Sequence, residues 1–157
     1  MASIPEVGTE APDFTLPSLT MVDGAAVRGE LTLSAERGHP VVLAFYPGDE
    51  TAVCTRQMCA YSAGIETLSG LDARVWGISP QGLDSHEGFA RHRGLAMPLL
   101  ADVDRTVIAA YGLARFGIGL RRSVFVVDAA GVIRWRYVTQ VGITFPDVET
   151  IARHIPA

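Results

Sequence analysis

The residues in this chain best suited to covalent chemistry are its two cysteines, Cys54 and Cys59, which follow the segment Phe45-Tyr46-Pro47-Gly48-Asp49-Glu50-Thr51-Ala52-Val53. Pro40 to Tyr46 carries Val41, Val42, Leu43, Ala44 and Phe45, the unbroken apolar run expected of a strand buried on both faces. Pro47 and Gly48 end it. A helix is expected to begin near Thr51, whose hydroxyl suits an N-cap, so Cys54 falls in the first turn. Unpaired amides and the positive end of the helix dipole favour the thiolate there, and the thiolate is the nucleophile. On the residues alone, two readings stand: a reactive thiol, or a small buried apolar side chain.

Cys59 adds a possible partner. On an intact helix five residues correspond to a rise of about 7.5 Å and a rotation of about 140°. The sulfurs then point apart, with α-carbons beyond disulfide range. Either the cysteines are unrelated or the helix opens locally before they join, which is what a reversible catalytic disulfide requires.

Pro47-x-x-x-Thr51-x-x-Cys54 resembles the peroxidatic signature of the peroxiredoxins (AhpC/TSA family), and a second cysteine at Cys59 resembles the peroxiredoxin Q, or bacterioferritin-comigratory-protein, subgroup. Pro12-Asp13-Phe14, Asp102-Val103-Asp104 with Tyr111-Gly112, and Arg122-Ser123-Val124-Phe125-Val126-Val127-Asp128 resemble further segments of that family, so the likeness runs through nearly the whole chain. The resemblance implies a thiol-dependent peroxidase for hydrogen peroxide and small organic hydroperoxides, with no metal or organic cofactor. It implies Cys54 as the thiol that becomes a sulfenic acid and Cys59 as the thiol that resolves it. Thr51 and the amides near Val53 and Cys54 would hold the peroxide, Arg122 would stabilise the thiolate, and Pro47 would shield the sulfur. Thioredoxin or a similar dithiol protein would be the reductant, and the protein would be a monomer or homodimer. Two positions depart from the subgroup pattern: Gln57 stands where a glutamate is common, and Val53 where a glycine is.

By residue type alone Arg122 is a charge at the start of the most apolar strand, where a guanidinium could sit on the surface or reach a thiolate at a neighbouring strand end. Arg121 is the alternative if the strand is shifted by one residue. Arg134 and Arg136 alternate with Ile133 and Trp135 as a solvated strand face does. His39, His86, His92 and His154 are scattered, with no zinc-ligand spacing. Gly117-Ile118-Gly119 lacks the third glycine of a dinucleotide loop, Gly77-Ile78-Ser79-Pro80 does not complete a hydrolase elbow, and there is no Cys-x-x-Cys dithiol.

The chain has 157 residues, 48% of them hydrophobic, and a formal net charge of −4. That length fits one domain, residues 1–157, and the composition argues against a nucleic-acid binder or a disordered tail. Its longest apolar run falls far short of a membrane span. Met1 to Gly8 has neither a basic region nor an apolar core, so a cytoplasmic, reducing setting is expected, in which cysteine pairs are catalytic or redox-sensing. Two other function classes remain open: a non-enzymatic redox sensor using the same pair, and a structural module with inert cysteines.

The elements that must position these residues are read as follows. Phe14 to Leu16 is a short strand closed by Pro17, a hairpin turns at Asp23-Gly24, and Leu31 to Leu33 ends its second arm before a helical turn over Ser34 to Gly38. The cysteine helix runs to near Gly70, Arg74 to Ser79 is a strand, and Ser85 caps a helix that Gly94 ends. Met97 to Ala101 is strand-like, Asp104 to Tyr111 a short helix, and Gly112 to Arg121 a loop. Ser123 to Val127 and Val132 to Tyr137 form a hairpin, and a last helix opens with Pro146 in its first turn and ends about His154. This order predicts an α/β chain with a central mixed sheet flanked by helices. The resemblance implies a thioredoxin-like fold with an N-terminal extension.

Overall fold

The computed structural model describes residues 3–115, 119–139 and 144–156. In chain order the elements are β1 (Thr15–Val22), β2 (Ala25–Thr32), a 3-10 turn (Leu33–Glu36), β3 (Val41–Phe45), α1 (Ala52–Ala63), α2 (Ile65–Ser69), β4 (Arg74–Ser79), α3 (Leu83–Arg93), β5 (Leu99–Ala101), α4 (Thr106–Ala110), β6 (Ser123–Val127), β7 (Ile133–Val138) and α5 (Val148–Arg153). Among the described residues the strands form one mixed sheet in the order β2-β1-β5-β4-β3-β6-β7. The N-terminal extension is the β1–β2 hairpin, joined to the sheet where Ser18 and Leu19 pair with β5.

β3 sits between β4 and β6, and all five of its residues are buried, as its unbroken apolar run predicts. It is parallel to β4 and antiparallel to β6, with Phe45 opposite Ser123. The end of β3 and the beginning of β6 therefore lie side by side. The chain leaving β3 starts the cysteine helix, and the residue entering β6 is Arg122.

Alternation along β3 divides the core. Val42, Ala44 and Tyr46 pack with Met58 and Tyr61 of α1, Phe89 of α3 and Ile151 of α5. Val41, Leu43 and Phe45 pack on the opposite face with Trp76, Phe125, and Val107 and Ile108 of α4. Helices thus cover both faces of the sheet. Burying a side chain such as Leu43 or Phe125, each fully buried, contributes about 1.5–3 kcal/mol, so this two-sided core is what fixes β3 and the turn after it.

Several expected boundaries differ. Pro17 does not close β1, which continues to Val22, because the pairing with β5 begins only at Ser18 and the ladder tolerates a residue without an N–H beside that start. The cysteine helix breaks into α1 and α2 at Gly64, where a Cβ would lie 2.6 Å from Val148 Cγ2. α3 begins after Gly82, not at Ser85, whose hydroxyl is used elsewhere. Pro146 precedes the cap of α5: Asp147 is the N-cap and accepts from the Thr150 amide. β5 and α4 are shorter than expected. Gly117 and Ile118, like the middle of the Gly112 to Arg121 segment, lie outside the described residues.

The close approach of Gly64 to Val148 gives a test. Gly64→Ala should destabilise the protein by about 1–3 kcal/mol, the usual cost of overpacking a filled contact. Adding Val148→Ala should recover part of that loss. Urea midpoints of the two variants check it, and an alanine variant as stable as the parent would show that α5 shifts freely on the helix junction.

Candidate active site

α1 begins at Ala52 with Thr51 as its N-cap, so Cys54 is the third helical residue. The amides of Ala52, Val53 and Cys54 have no carbonyl acceptor within the helix and form the positive end of its dipole. Thr51 has the extended backbone of an N-cap, but its hydroxyl does not cap the helix; it donates to the Gly48 carbonyl at 3.0 Å and so closes the turn before the helix. Cys54 is fully buried, Cys59 is half-buried, and both are free thiols on the same unbroken helix.

Arg122, only 3% exposed, donates from Nη2 to Cys54 Sγ at 3.2 Å and from Nη1 to Gln57 Oε1 at 2.5 Å. A guanidinium at that distance sets a positive charge and an N–H donor against the sulfur. Arg121 points elsewhere and donates to the Thr139 carbonyl. Gln57 in turn donates from Nε2 to Tyr61 Oη at 3.3 Å, and Tyr61 donates to the Pro146 carbonyl at 2.7 Å. Burial raises the Tyr61 phenol well above its ordinary range, which keeps it a donor. Its single proton is committed to Pro146, so the residue at 57 must donate to Tyr61 while accepting from Arg122. An amide does both; a carboxylate does not. The glutamine thus matches the partners it has here.

The turn between β3 and α1 is held from the side facing α3. Asp49 Oδ1 accepts from Tyr46 Oη at 2.6 Å, and Oδ2 accepts from Ser85 Oγ at 2.7 Å and meets His86 Nδ1 at 2.7 Å. The other ring nitrogen of His86 lies 2.9 Å from the Leu100 carbonyl. Burial pushes the Asp49 carboxyl up, but the hydrogen bond and charge of His86, with the Tyr46 and Ser85 hydroxyls, outweigh it and hold the carboxyl below its usual range. The Asp49 amide donates to Gln81 Oε1, which also accepts from Ser79 Oγ. Glu50 has a left-handed backbone, φ 62°, and pairs with His92 and Arg93 at the far end of α3.

Of the five residues singled out from the sequence, Cys54 and Arg122 are in direct contact, Thr51 and Pro47 belong to the turn that carries Cys54, and Cys59 lies further along α1. Sequence reasoning did not single out Tyr61, Tyr46, Asp49 or His86. The Gln57/Tyr61 pair carries a helical signal, since Cys54, Gln57, Met58 and Tyr61 form the buried stripe of α1. Asp49 and His86 carry none, being 37 residues apart.

A family model described as the AhpC/TSA family matches residues 7–136. The chain is 38% identical over 136 residues to the Coxiella burnetii protein named "Putative peroxiredoxin bcp", covering 82% of this chain and 85% of that one. It is 38% identical over 135 residues to the chloroplastic peroxiredoxin Q of Oryza sativa subsp. japonica, covering 85% of this chain and 59% of the plant protein, so the match spans under two thirds of that relative's length. Among solved structures, Mycobacterium tuberculosis AhpC superposes with a TM-score of 0.84 at 23% identity over 96% of this chain and 95% of its own. The reduced Plasmodium vivax 2-Cys peroxiredoxin superposes with a TM-score of 0.83 at 23% identity, covering 94% of this chain and 92% of its own. These likenesses show the fold.

The chain from Arg122 through Gln57 and Tyr61 to Pro146 sets an expectation for stability. Gln57→Leu keeps the bulk but takes one acceptor from a buried guanidinium and one donor from a buried phenol. It should destabilise the protein by about 1–3 kcal/mol, the cost of leaving buried polar groups without those partners. Chemical unfolding of the reduced protein checks this, and an unchanged midpoint would mean that water or a rearranged Arg122 takes over both contacts.

Proposed function

The chain belongs to the AhpC/TSA family, and we propose that it acts as a thiol-dependent peroxidase, one domain over residues 1–157, in which Cys54 is the thiol that meets the peroxide. The observation that carries this reading is the buried contact of Arg122 Nη2 with Cys54 Sγ at 3.2 Å in the first turn of α1. A guanidinium and a helix N-terminus together place positive charge beside the sulfur, where attack on a peroxide gathers negative charge.

The thiolate attacks the terminal oxygen of the hydroperoxide: an S–O bond forms, the O–O bond breaks, and the leaving alkoxide or hydroxide takes a proton to become alcohol or water. Cys54 is left as a sulfenic acid. Arg122 and the unpartnered amides at the start of α1 stabilise the negative charge moving onto the leaving oxygen, and the Thr51 hydroxyl helps hold the peroxide. Pro47, half-buried beside them, limits access of water to the sulfur. Cys59 then displaces the sulfenic hydroxyl as water and forms an intramolecular disulfide, which a dithiol protein such as thioredoxin returns to two thiols by exchange. Because α1 runs unbroken through both cysteines, this step opens the helix. The steps use no metal or organic cofactor.

Substitution of each cysteine tests the assignment. Cys54→Ser should abolish peroxide consumption, because a serine hydroxyl does not ionise where a thiol does. Cys59→Ser should still be oxidised by peroxide but stop at the sulfenic acid and pass to the sulfinic acid under excess oxidant, as mass spectrometry would read. Turnover with thioredoxin in the Cys59 variant would remove Cys59 from the resolving role. A protein that oxidises once and is not turned over by any dithiol would instead fit a redox sensor.

Arg122→Ala should slow oxidation of Cys54 on the order of 10²-fold, the usual cost of losing one preorganised donor to a developing oxyanion. Arg121→Ala should change it little, since its guanidinium serves a carbonyl. Stopped-flow oxidation of both variants decides, and equal loss from the two would dissociate the effect from contact with the sulfur.

A further inference from the structure

The turn that carries the peroxide-binding groups, residues 47–51, does not hold itself. Its one internal side-chain bond is Thr51 Oγ1 to the Gly48 carbonyl, and it contains a non-glycine residue, Glu50, in the left-handed region, a conformation that persists only where the surroundings impose it. Those surroundings converge on Asp49. Its side chain is 3% exposed, as closed off as a core residue, and faces the fully buried His86. Three donors reach its two oxygens: one from the end of β3 (Tyr46) and two from the first half of α3 (Ser85 and His86). His86 is itself oriented by the Leu100 carbonyl of β5, so two strands and a helix are tied to a single carboxylate in the middle of the turn. Gln81 adds a backbone grip, accepting from the Asp49 amide and donating to the Pro47 carbonyl at 3.4 Å.

The rest of the site does not use this carboxylate. It lies on the α3 side of the turn, whereas Arg122 approaches Cys54 from β6. A buried carboxylate and imidazole are costly to desolvate, and replacing such a pair by apolar groups is often neutral or stabilising for the fold. Their presence between the turn and α3 calls for a role in conformation.

We propose that the Asp49–His86 pair is a positioning device for the peroxide site, holding residues 47–51 in the conformation in which Thr51, Pro47 and the first amides of α1 surround the incoming peroxide. This rests on the peroxidase reading of Cys54. Neither residue touches the reacting atoms: His86 orients Asp49, and Asp49 fixes the turn. A displacement of about 1 Å in groups that orient a substrate costs up to about 10²-fold in rate, whereas a small alkylating agent needs the Cys54 sulfur but none of the groups that orient a peroxide. The pair should therefore matter for one reaction of Cys54 and not for the other.

The experiment uses the full chain with Cys59→Ser, so that Cys54 is its only thiol, and measures rate constants for oxidation by hydrogen peroxide and for alkylation by iodoacetamide. Asp49→Ala should lower the peroxide rate by about tenfold or more while alkylation stays within about threefold of the parent. Asp49→Asn keeps the acceptor for Tyr46 and a polar group of the same shape facing Ser85 and His86, and should recover part of the loss. If the alanine variant does not fold, the isosteric Tyr46→Phe removes one of the three donors and should reduce peroxide oxidation severalfold with alkylation unchanged. A folded Asp49→Ala or Tyr46→Phe with the parent's peroxide rate overturns the proposal, and so does a parallel fall in both reactions, which would mark a general structural role. A parent protein that alkylates readily but does not react with peroxide overturns the peroxidase reading itself, a different result from failure of the variants.

Discussion

The contact between a buried guanidinium and a buried sulfur is the constraint on which this architecture turns. Arg122 is almost wholly removed from solvent, and a buried cation is tolerated only where anions, dipoles or acceptors are arranged around it. The sheet supplies that arrangement through topology. β3 must run antiparallel to β6 with Phe45 opposite Ser123, because only then does the residue entering β6 meet the helix that leaves β3. A shift of one residue in that register would turn Arg122 to the other face. The two-sided core around β3 fixes the register and therefore fixes the electrostatics of the thiol.

α1 answers to two opposing requirements. Its buried stripe, Cys54, Gln57, Met58 and Tyr61, has helical spacing and takes the polar groups of Gln57 and Tyr61 into the core, where each needs a hydrogen-bond partner. Polar contacts complete the anchoring: Gln57 spans Arg122 and Tyr61, and Tyr61 reaches the carbonyl just before the cap of α5. Phe145 packs edge-on against Tyr61, and Arg56 lies over the Phe145 ring at 5.8 Å. A helix held by a few specific bonds can be stable with its thiols reduced and still open, as the proposed Cys54–Cys59 disulfide requires.

The parts legible in the sequence are those that local pattern decides. β3 and β6 show as apolar runs, β4 as a strand around Val75, Trp76 and Ile78, the β6–β7 hairpin as a turn at Asp128 to Gly131, and the start of α1 as an N-cap position followed by Cys54. What sequence reasoning missed was set by partners distant along the chain. Val148 packs against Gly64 at the junction of α1 and α2, leaving no room for a side chain there, and Pro17 sits inside a strand because of where β5 begins to pair. Ser85 has the chemistry of a helix cap, yet its hydroxyl serves Asp49. Gln57 departs from the resembled pattern, and its reason emerges only once Tyr61 is seen to commit its proton to Pro146. In each case the residue type was informative and the partner was not deducible.

These arrangements place a boundary within the site. On one side of it, residues 47–51 are tied through Asp49 to β3 and α3, through His86 to β5, and through Glu50 to the last turn of α3. On the other, the rest of α1 depends on the bonds of Gln57 and Tyr61 and on its packing against the chain around Val148. Cys54 stands at the junction, joined to the held turn by the helix start and to β6 by Arg122. In the proposed reaction, a site with this division keeps the groups around Cys54 preorganised for the first step while the segment bearing Cys59 unwinds for the second. If the whole α1 region were equally rigid the disulfide could not form, and if it were equally loose the sulfur would lose its oriented donors.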